Sequence, residues 1–383
     1  MTASTDGSLR RAVNIEDLRV LARKRLPRFV FDFVDGGAED ELTLRHNRDA
    51  FERLRFRPRV MRDVSQRDAS TLILGLPAAL PVIIGPVTLA GYCARHGDLA
   101  MARAATAAGL PFVLPTPSSA AIADVAREAP GRLWFQAYVF AERAVTDTLI
   151  DRAAAAGYET LVITCDFPVA GKRERDWRSG LLPKQQFTLP TLLDVFLHPR
   201  WIATVMTARP EFVNVQQALG PGRPAGPFVA QKMFDPALTW DDLGRFRERW
   251  KGRLLLKGVL RADDAERAVA LGADGVVLSN HGGRQLDGAI SAIDALPEVA
   301  RAIGGRASII VDGGVRRGAD IARAVALGAE AVIVGRAALY GLAAGGEPGV
   351  RHALALLADE FDRVLALTGS ASVADLGPDL LMT

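Results

Sequence analysis

Cysteine is nearly absent. Cys93 and Cys165 are the only two in 383 residues, which excludes a disulfide framework. Residues 1–11 lack the apolar centre of a secretory signal, so the sequence predicts a reducing, cytoplasmic compartment. A dominant charge is missing too: 47 Lys and Arg face 44 Asp and Glu, a net +3 with pI about 9.0. That excess is too slight and too dispersed to point to nucleic acid, and no nucleic-acid-binding module is present. Lysine is scarce, with six in the chain, so the basic charge is almost all arginine. Nor is there an unbroken apolar run. The uncharged stretch 70–94 is long enough to cross a bilayer, but Pro77, Pro81, Pro86, Gly75, Gly85 and Gly91 break any spanning helix. It reads instead as a turn followed by a buried strand. With 49% hydrophobic and 24% charged residues, the chain is an ordinary globular one, long enough for one large domain with additions.

What the sequence does contain is a repeat. R-A-V-A-L-G-A-D-G-V-V-L-S-N at 267–280 matches R-A-V-A-L-G-A-E-A-V-I-V-G-R at 323–336, and weaker copies lie at 105–116 and 153–166. Each unit is a helix end, a glycine, an acidic residue and an apolar strand, the pattern of a closed parallel barrel. Eight strands are predicted, at 81–87, 111–114, 133–139, 160–164, 254–258, 275–278, 308–311 and 331–334. Helical patterns between them, such as 98–108, 144–156, 262–271 and 319–327, complete an α/β TIM (β/α)8 barrel.

The barrel occupies 81–340 within one domain, between an N-terminal helical extension (1–80) and a C-terminal helical segment (341–383). In the extension, Asn14 is expected to cap a helix that stops before Pro27. Phe29, Phe31 and Phe33 follow at period two, as a packing face or a pocket wall. A long insertion after the fourth strand spans 167–239. Its apolar stretch, about 187–209, lies beside Arg173, Arg175, Arg178, Lys184 and Arg200, which suits a membrane-surface helix, a lid on the barrel or an oligomer contact.

Chemistry concentrates in S-N-H-G-G-R-Q-L-D at 279–287, which follows the sixth strand and brings His281, Arg284 and two glycines to one loop. In such barrels the strands' C-terminal ends form the active site, and the loops after strands seven and eight commonly hold phosphate. Those loops here are D-G-G-V-R-R-G, with Asp312, Gly313, Gly314 and Arg316, and then Gly335 and Arg336. Gln136, Tyr138, Thr164, Asp166, Lys257 and Ser279 point into the same mouth. Lys257, a rare lysine within L-L-L-K-G-V, must find a counter-charge or a ligand. A phosphate site with a lysine and a histidine nearby fits an aldolase, an isomerase or a flavin enzyme, and the residue types do not choose among them.

The motif at 279–287, with L-L-K-G-V before it and V-D-G-G-V-R-R-G after it, resembles the FMN-dependent 2-hydroxy-acid oxidases and dehydrogenases. The likeness runs from about residue 15 to 368 and includes G-G-A-E-D near Gly36, W-F-Q-A-Y-V at Trp134 and G-K-R-E-R-D at Gly171. H-P-R-W at 198–201 is similar to the branch of mandelate and lactate dehydrogenases. The resemblance implies FMN as cofactor, no metal, a homotetramer and oxidation of an (S)-2-hydroxy acid to a 2-oxo acid. It also implies that His281 is the base, oriented by Asp166, with Arg173 and Arg284 on the substrate carboxylate and Tyr138 near its hydroxyl. Lys257 would sit by flavin N1 and O2. Gln136, Thr164 and Ser279 would hold the ring system, and Pro86, Val87 and Thr88 would line it by backbone. Asp312, Gly313, Gly314, Arg316, Gly335 and Arg336 would hold ribityl and phosphate.

Three positions depart from the family pattern. Phe33 stands where a tyrosine hydroxyl usually meets the carboxylate. Pro115 replaces a flavin-contacting serine, and Pro117 replaces a tryptophan over the pocket, which leaves room for a bulky or aryl substrate. A quinone or electron carrier is expected as acceptor, at the inner face of the cell membrane. A peroxide-producing oxidase using oxygen and a flavin-binding relative without turnover stand as alternatives.

Overall fold

The computed structural model describes residues 3–181, 187–205, 208, 211–223 and 233–382. Eight parallel strands close into a barrel in sequence order. They are β1 (Val82–Ile84), β2 (Phe112–Pro115), β3 (Leu133–Ala137), β4 (Thr160–Thr164), β5 (Arg253–Val259), β6 (Gly275–Leu278), β7 (Ser308–Asp312) and β8 (Ala331–Val334). β8 returns to β1 through Val332 opposite Val82 and Val334 opposite Ile84. Alternate strand residues, among them Ile83, Val113, Trp134, Val162, Leu255, Val277 and Ile310, fill the barrel, while their neighbours pack outward on the helices. Such strands must be apolar on both faces, which is why they stood out as apolar runs.

The extension closes one end of this barrel. A hairpin of Thr71–Ile73 and Leu76–Ala78 places Ile73, Leu74 and Ala78 in the interior cluster at the strands' N-terminal end. Arg132, just ahead of β3, donates to the carbonyl oxygens of Ile73, Leu76 and Pro77 and pins the plug. The opposite end stays open for a site.

Asn14 caps the helix Ile15–Arg25, its Oδ1 accepting from Asp17 N at 2.8 Å. Phe29, Phe31 and Phe33 do not alternate along a strand: they belong to the helix Arg28–Asp35, buried on almost every side. Phe29 packs on Phe187 and Trp201 of the insertion, while Phe33 reaches the open end of the barrel. The helix Leu42–Arg53 starts over the 279–287 loop, whose Asp287 accepts from the N–H groups of Leu42 and Thr43 at 3.1 and 2.8 Å. The last helix begins earlier than expected, at Arg336, kinks at Gly345 and Gly346 and ends at Thr368. Beyond it Leu381–Met382 pairs with Arg55–Phe56, tying the two ends of the chain together.

Within the insertion, the described part of the apolar stretch forms two short helices, Leu189–Phe196 and Pro199–Val205, rather than one continuous amphipathic helix. The first has no buried residue; Phe196 and Leu197 are 73% and 77% exposed. The second is anchored by Trp201, whose indole N–H donates to Tyr92 O at 2.7 Å. Of the arginines expected to flank a membrane helix, Arg173 is buried in the barrel mouth and Arg175 is bound to Asp35 and Glu41. Arg178 and Arg200 remain exposed, and Lys184, Met206, Thr207 and Arg209 lie outside the described residues. Among the described residues, no helix is long and apolar enough to cross a membrane.

Candidate active site

The loop after β6 turns sharply. His281, Gly282 and Gly283 all have positive φ, at 57°, 65° and 75°. Glycine takes this conformation freely, but for a histidine it costs on the order of 1–3 kcal/mol and persists only if the surroundings hold it. Here they do. His281 N donates to Ser279 Oγ at 3.0 Å, its Nδ1 meets Asp166 Oδ1 at 3.0 Å, and its Nε2 meets Tyr138 Oη at 3.1 Å. An ionised carboxylate only accepts, so the ring proton lies on Nδ1 and the unprotonated Nε2 is the basic nitrogen, which here accepts from the Tyr138 hydroxyl. Burial lowers the His281 pKa below its usual value against the pull of Asp166, and Lys257 lowers it further, so the neutral base is favoured. Burial would raise Asp166, but His281 and Lys257 outweigh it and hold the carboxyl below the ordinary range. Burial pushes Tyr138 up to about 12, which keeps its phenol protonated. Gly258, with φ 109°, is the residue that admits Asp166, since a Cβ there would come within 2.6 Å of the Asp166 Cβ.

A second buried group stands deeper in the mouth. Lys257 Nζ lies 2.9 Å from Ser279 Oγ and 3.1 Å from Asp312, and Ser279 Oγ donates to Asp312 Oδ2 at 2.9 Å. Burial alone would neutralise this lysine, but Asp312 and Asp166 raise its pKa and keep it a cation. On the neighbouring strands Gln136 Nε2 donates to Thr164 Oγ1 at 2.9 Å. Thr116 takes the Tyr138 N–H on its hydroxyl and donates to Gln136 O, so β2 sets the height of both side chains.

Arg173 and Arg284 line the same cavity, the first buried and the second partly buried. The Phe33 ring lies under them, 4.5 Å from the Arg284 guanidinium and 5.8 Å from that of Arg173. Arg284 Nη1 donates to the carbonyls of Phe33 and Gly36, while among the described residues its buried Nη2 has no partner. Burial and the neighbouring Arg173 push the Arg284 pKa well down, the signature of a cation held where an anion belongs.

At the phosphate loops Gly313 and Gly314 have φ of 102° and 85°, and a Cβ on Gly314 would fall 2.2 Å from Asn47 O. Arg316 lies against the Tyr340 ring at 5.5 Å. Arg336 is tethered: its Nε, Nη1 and Nη2 donate to the carbonyls of Val34, Gly282 and Gly36, which takes three of its five N–H groups. What the β8 loop offers an anion is therefore the helix start at Gly335 and Arg336, with that buried charge behind it.

Pro86, Val87, Thr88 and Pro115 line the mouth with these groups, a space of about 1290 Å³ including its opening to solvent. Asp166 and Ser279 do not line this space; they lie behind it, hydrogen-bonded to His281 and Lys257. A model of the FMN-dependent dehydrogenase family matches residues 22–383. The chain belongs to that family. It is 45% identical to (S)-mandelate dehydrogenase of Pseudomonas putida over 369 residues, covering 96% of this chain and 93% of the relative. The L-lactate dehydrogenase of Chromohalobacter salexigens is 44% identical over 371 residues, with 96% of this chain and 94% of the relative covered. A crystal structure described as the monotopic membrane protein (S)-mandelate dehydrogenase superposes with TM-score 0.93 at 44% identity, covering 97% of this chain and 99% of that one.

The residues present fit the FMN on which the family depends. The cavity pairs a glycine cradle and a helix start, suited to a phosphate, with a buried lysine cation and the Gln136–Thr164 pair, suited to a ring bearing carbonyl and amide edges. Several lining residues carried no sequence signal: Phe167, Leu181, Phe212 and Phe234 sit in motif-free loops. Phe234, at the far end of the insertion, stacks on Tyr138 at 4.6 Å and packs on Phe167 at 5.3 Å.

Proposed function

We propose that this FMN-dependent dehydrogenase oxidises an (S)-2-hydroxy acid with a bulky or aryl side chain to the 2-oxo acid. The observation that carries the reading is the unpartnered, buried Nη2 of Arg284 beside Arg173, opposite a neutral imidazole. Asp176 offsets both guanidiniums at longer range, but neither forms an ion pair with a carboxylate among the described residues, which favours a substrate that supplies one.

In this reading Arg173 and Arg284 hold the carboxylate and fix the substrate's orientation. His281 Nε2 takes the proton, Asp166 stabilises the imidazolium formed, and Tyr138 Oη positions the substrate hydroxyl. FMN, when bound, supplies the two-electron acceptor, and the positive charge of Lys257 favours its anionic reduced form. Gln136, Thr164 and Ser279 orient the ring system; the backbone at Pro86, Val87 and Thr88 walls it; Asp312, Gly313, Gly314, Arg316, Gly335 and Arg336 hold ribityl and phosphate. Phe33, Phe167, Leu181, Phe212 and Phe234 form an apolar wall that suits an aryl or long alkyl group better than a methyl group.

The exposed Leu189, Leu193, Phe196 and Leu197, with Arg178 and Arg200 nearby in sequence, support a peripheral contact with the inner face of the cell membrane, where a quinone or electron carrier would take the electrons. A homotetramer of single-domain chains completes the reading. The 42% identity to an L-lactate oxidase of Nostoc keeps oxygen as a second acceptor. Turnover of (S)- and (R)-mandelate, lactate and 2-hydroxyoctanoate, each with a quinone analogue and under air with peroxide detection, tests both points. Oxidation of the (S)-acids with little peroxide supports a dehydrogenase. Stoichiometric peroxide makes the protein an oxidase, and failure on every acid overturns the reading.

A further inference from the structure

The apolar lining of the cavity includes residues from two loops far apart in sequence that meet at its edge. Pro117 lies in the loop after β2, and Phe212 lies in the insertion, immediately before the helix Val213–Leu219. The two are fastened to each other by Asn214, which is 1% exposed and does not line the cavity. Its Oδ1 accepts from Ile122 N at 2.9 Å and its Nδ2 donates to Ala120 O at 3.0 Å, so the one amide satisfies a donor and an acceptor of the β2 loop. Val213 N adds a bond to Ser118 O at 3.2 Å. Phe212 and Pro117 each precede a member of that pair by one residue, so they enter the wall side by side.

The β2 loop is itself held from the other side. Asp98 accepts from Ser119 N and Oγ at 2.8 and 2.6 Å, and Tyr158 Oη donates to Ile122 O at 3.1 Å. The loop is thus a fixed post, and the insertion hangs on it through Asn214. Phe234, a further wall aromatic from the insertion, has its own attachment: Phe140 bridges Phe234, and Asp235 N donates to Val139 O at 2.9 Å. The Asn214 contact therefore governs Phe212 without governing Phe234.

We infer that Asn214 is a specificity-determining positioning residue: it sets the place of Phe212 beside Pro117 and thereby how well the enzyme accepts a large 2-hydroxy-acid side chain over a small one. The inference rests on the proposed function, since it presumes that the side chain of a hydroxy acid lies along this wall. Releasing Phe212 should change the contact with an aryl group and leave a methyl group almost untouched, because the carboxylate and hydroxyl are held by Arg173, Arg284, His281 and Tyr138 on other elements. A misplaced apolar wall typically changes discrimination by roughly tenfold or more.

The test is a double-mutant cycle on the FMN-loaded full chain, with kcat/KM measured for (S)-mandelate and (S)-lactate in wild type, Asn214→Ala, Phe212→Ala and the double variant. Asn214→Ala is expected to cut the mandelate-to-lactate ratio by about tenfold while lactate kcat/KM and the flavin spectrum stay within about twofold. In the Phe212→Ala background the same substitution should change the ratio little, because the side chain it positions is gone. Asn214→Asp, which keeps the bond from Ile122 N and loses that to Ala120 O, should fall between. Equal losses on both acids, an unchanged ratio, or an Asn214→Ala effect that persists undiminished without Phe212 would each overturn the inference. If Asn214→Ala does not fold, the ratios of Asn214→Asp and Phe212→Ala alone decide it. A wild type that oxidises neither acid refutes the underlying function instead.

Discussion

Replacing Phe33 with tyrosine probes the carboxylate site without disturbing its scaffold. The Phe33 carbonyl already accepts from Arg284 Nη1 at 2.6 Å, and the ring lies under the guanidiniums of Arg284 and Arg173 at 4.5 and 5.8 Å. Tyrosine keeps both the backbone bond and the cation–π contacts. What it adds is a hydroxyl in the cavity that holds two arginines and the unpartnered Arg284 Nη2. A hydrogen bond to a charged group contributes ~1.5–3 kcal/mol, and each ~1.4 kcal/mol is tenfold in affinity. Because the carboxylate stays bound in ground and transition states alike, the gain should appear in KM, lowered tenfold or more for small hydroxy acids, with a smaller change in kcat. A hydroxyl that finds no acceptor would instead cost ~1–3 kcal/mol and raise KM. Steady-state kinetics of Phe33→Tyr on lactate, 2-hydroxyoctanoate and mandelate distinguish these outcomes. An unchanged or raised KM on all three acids means that the carboxylate does not lie between Arg173, Arg284 and residue 33.

His281→Ala should retain FMN, since the imidazole lies away from the phosphate loops, yet reduce it ~10²- to 10⁴-fold more slowly in stopped-flow mixing with substrate. The pH profile follows from the lowered His281 pKa: the neutral base is present above that pKa and lost below it, so the acid limb of kcat/KM should be centred below the ordinary histidine value of 6.5. An acid limb centred above 6.5 contradicts this assignment. On the surface, the double variant Leu193→Asp, Phe196→Asp should weaken co-sedimentation with anionic lipid vesicles by roughly tenfold or more, as burying one such side chain contributes ~1.5–3 kcal/mol. Flavin reduction should be unchanged; equal sedimentation of both proteins places the membrane contact elsewhere.

The barrel was legible because its strands are buried on both faces and written as apolar runs between helix ends and glycines. The same principle failed for Phe29, Phe31 and Phe33. Six of the eight residues of Arg28–Asp35 are buried, so the helical period is filled in and only a spurious alternation of phenylalanines remains. His281, Asp166 and Arg284 stood out as candidates because ionisable residues at strand ends are costly unless used, whereas Arg173, in the insertion, was joined to them only by the family resemblance. The aromatic wall was not: Phe212 and Phe234 are ordinary apolar residues in a long insertion, and only its attachments to the β2 and β3 loops bring them to the cavity. Arg336, read from its loop as a phosphate ligand, is held by three carbonyls that take three of its five N–H groups, a tether that no sequence pattern announces.

The most direct measurement is anaerobic mixing of the FMN-loaded protein with the (S)- and (R)-forms of mandelate, lactate and 2-hydroxyoctanoate, following the oxidised-flavin absorbance. The account requires rapid bleaching by (S)-acids, fastest with the aryl or long-chain members, and little or none by their (R)-forms. Bound FMN that none of these acids bleaches would contradict it.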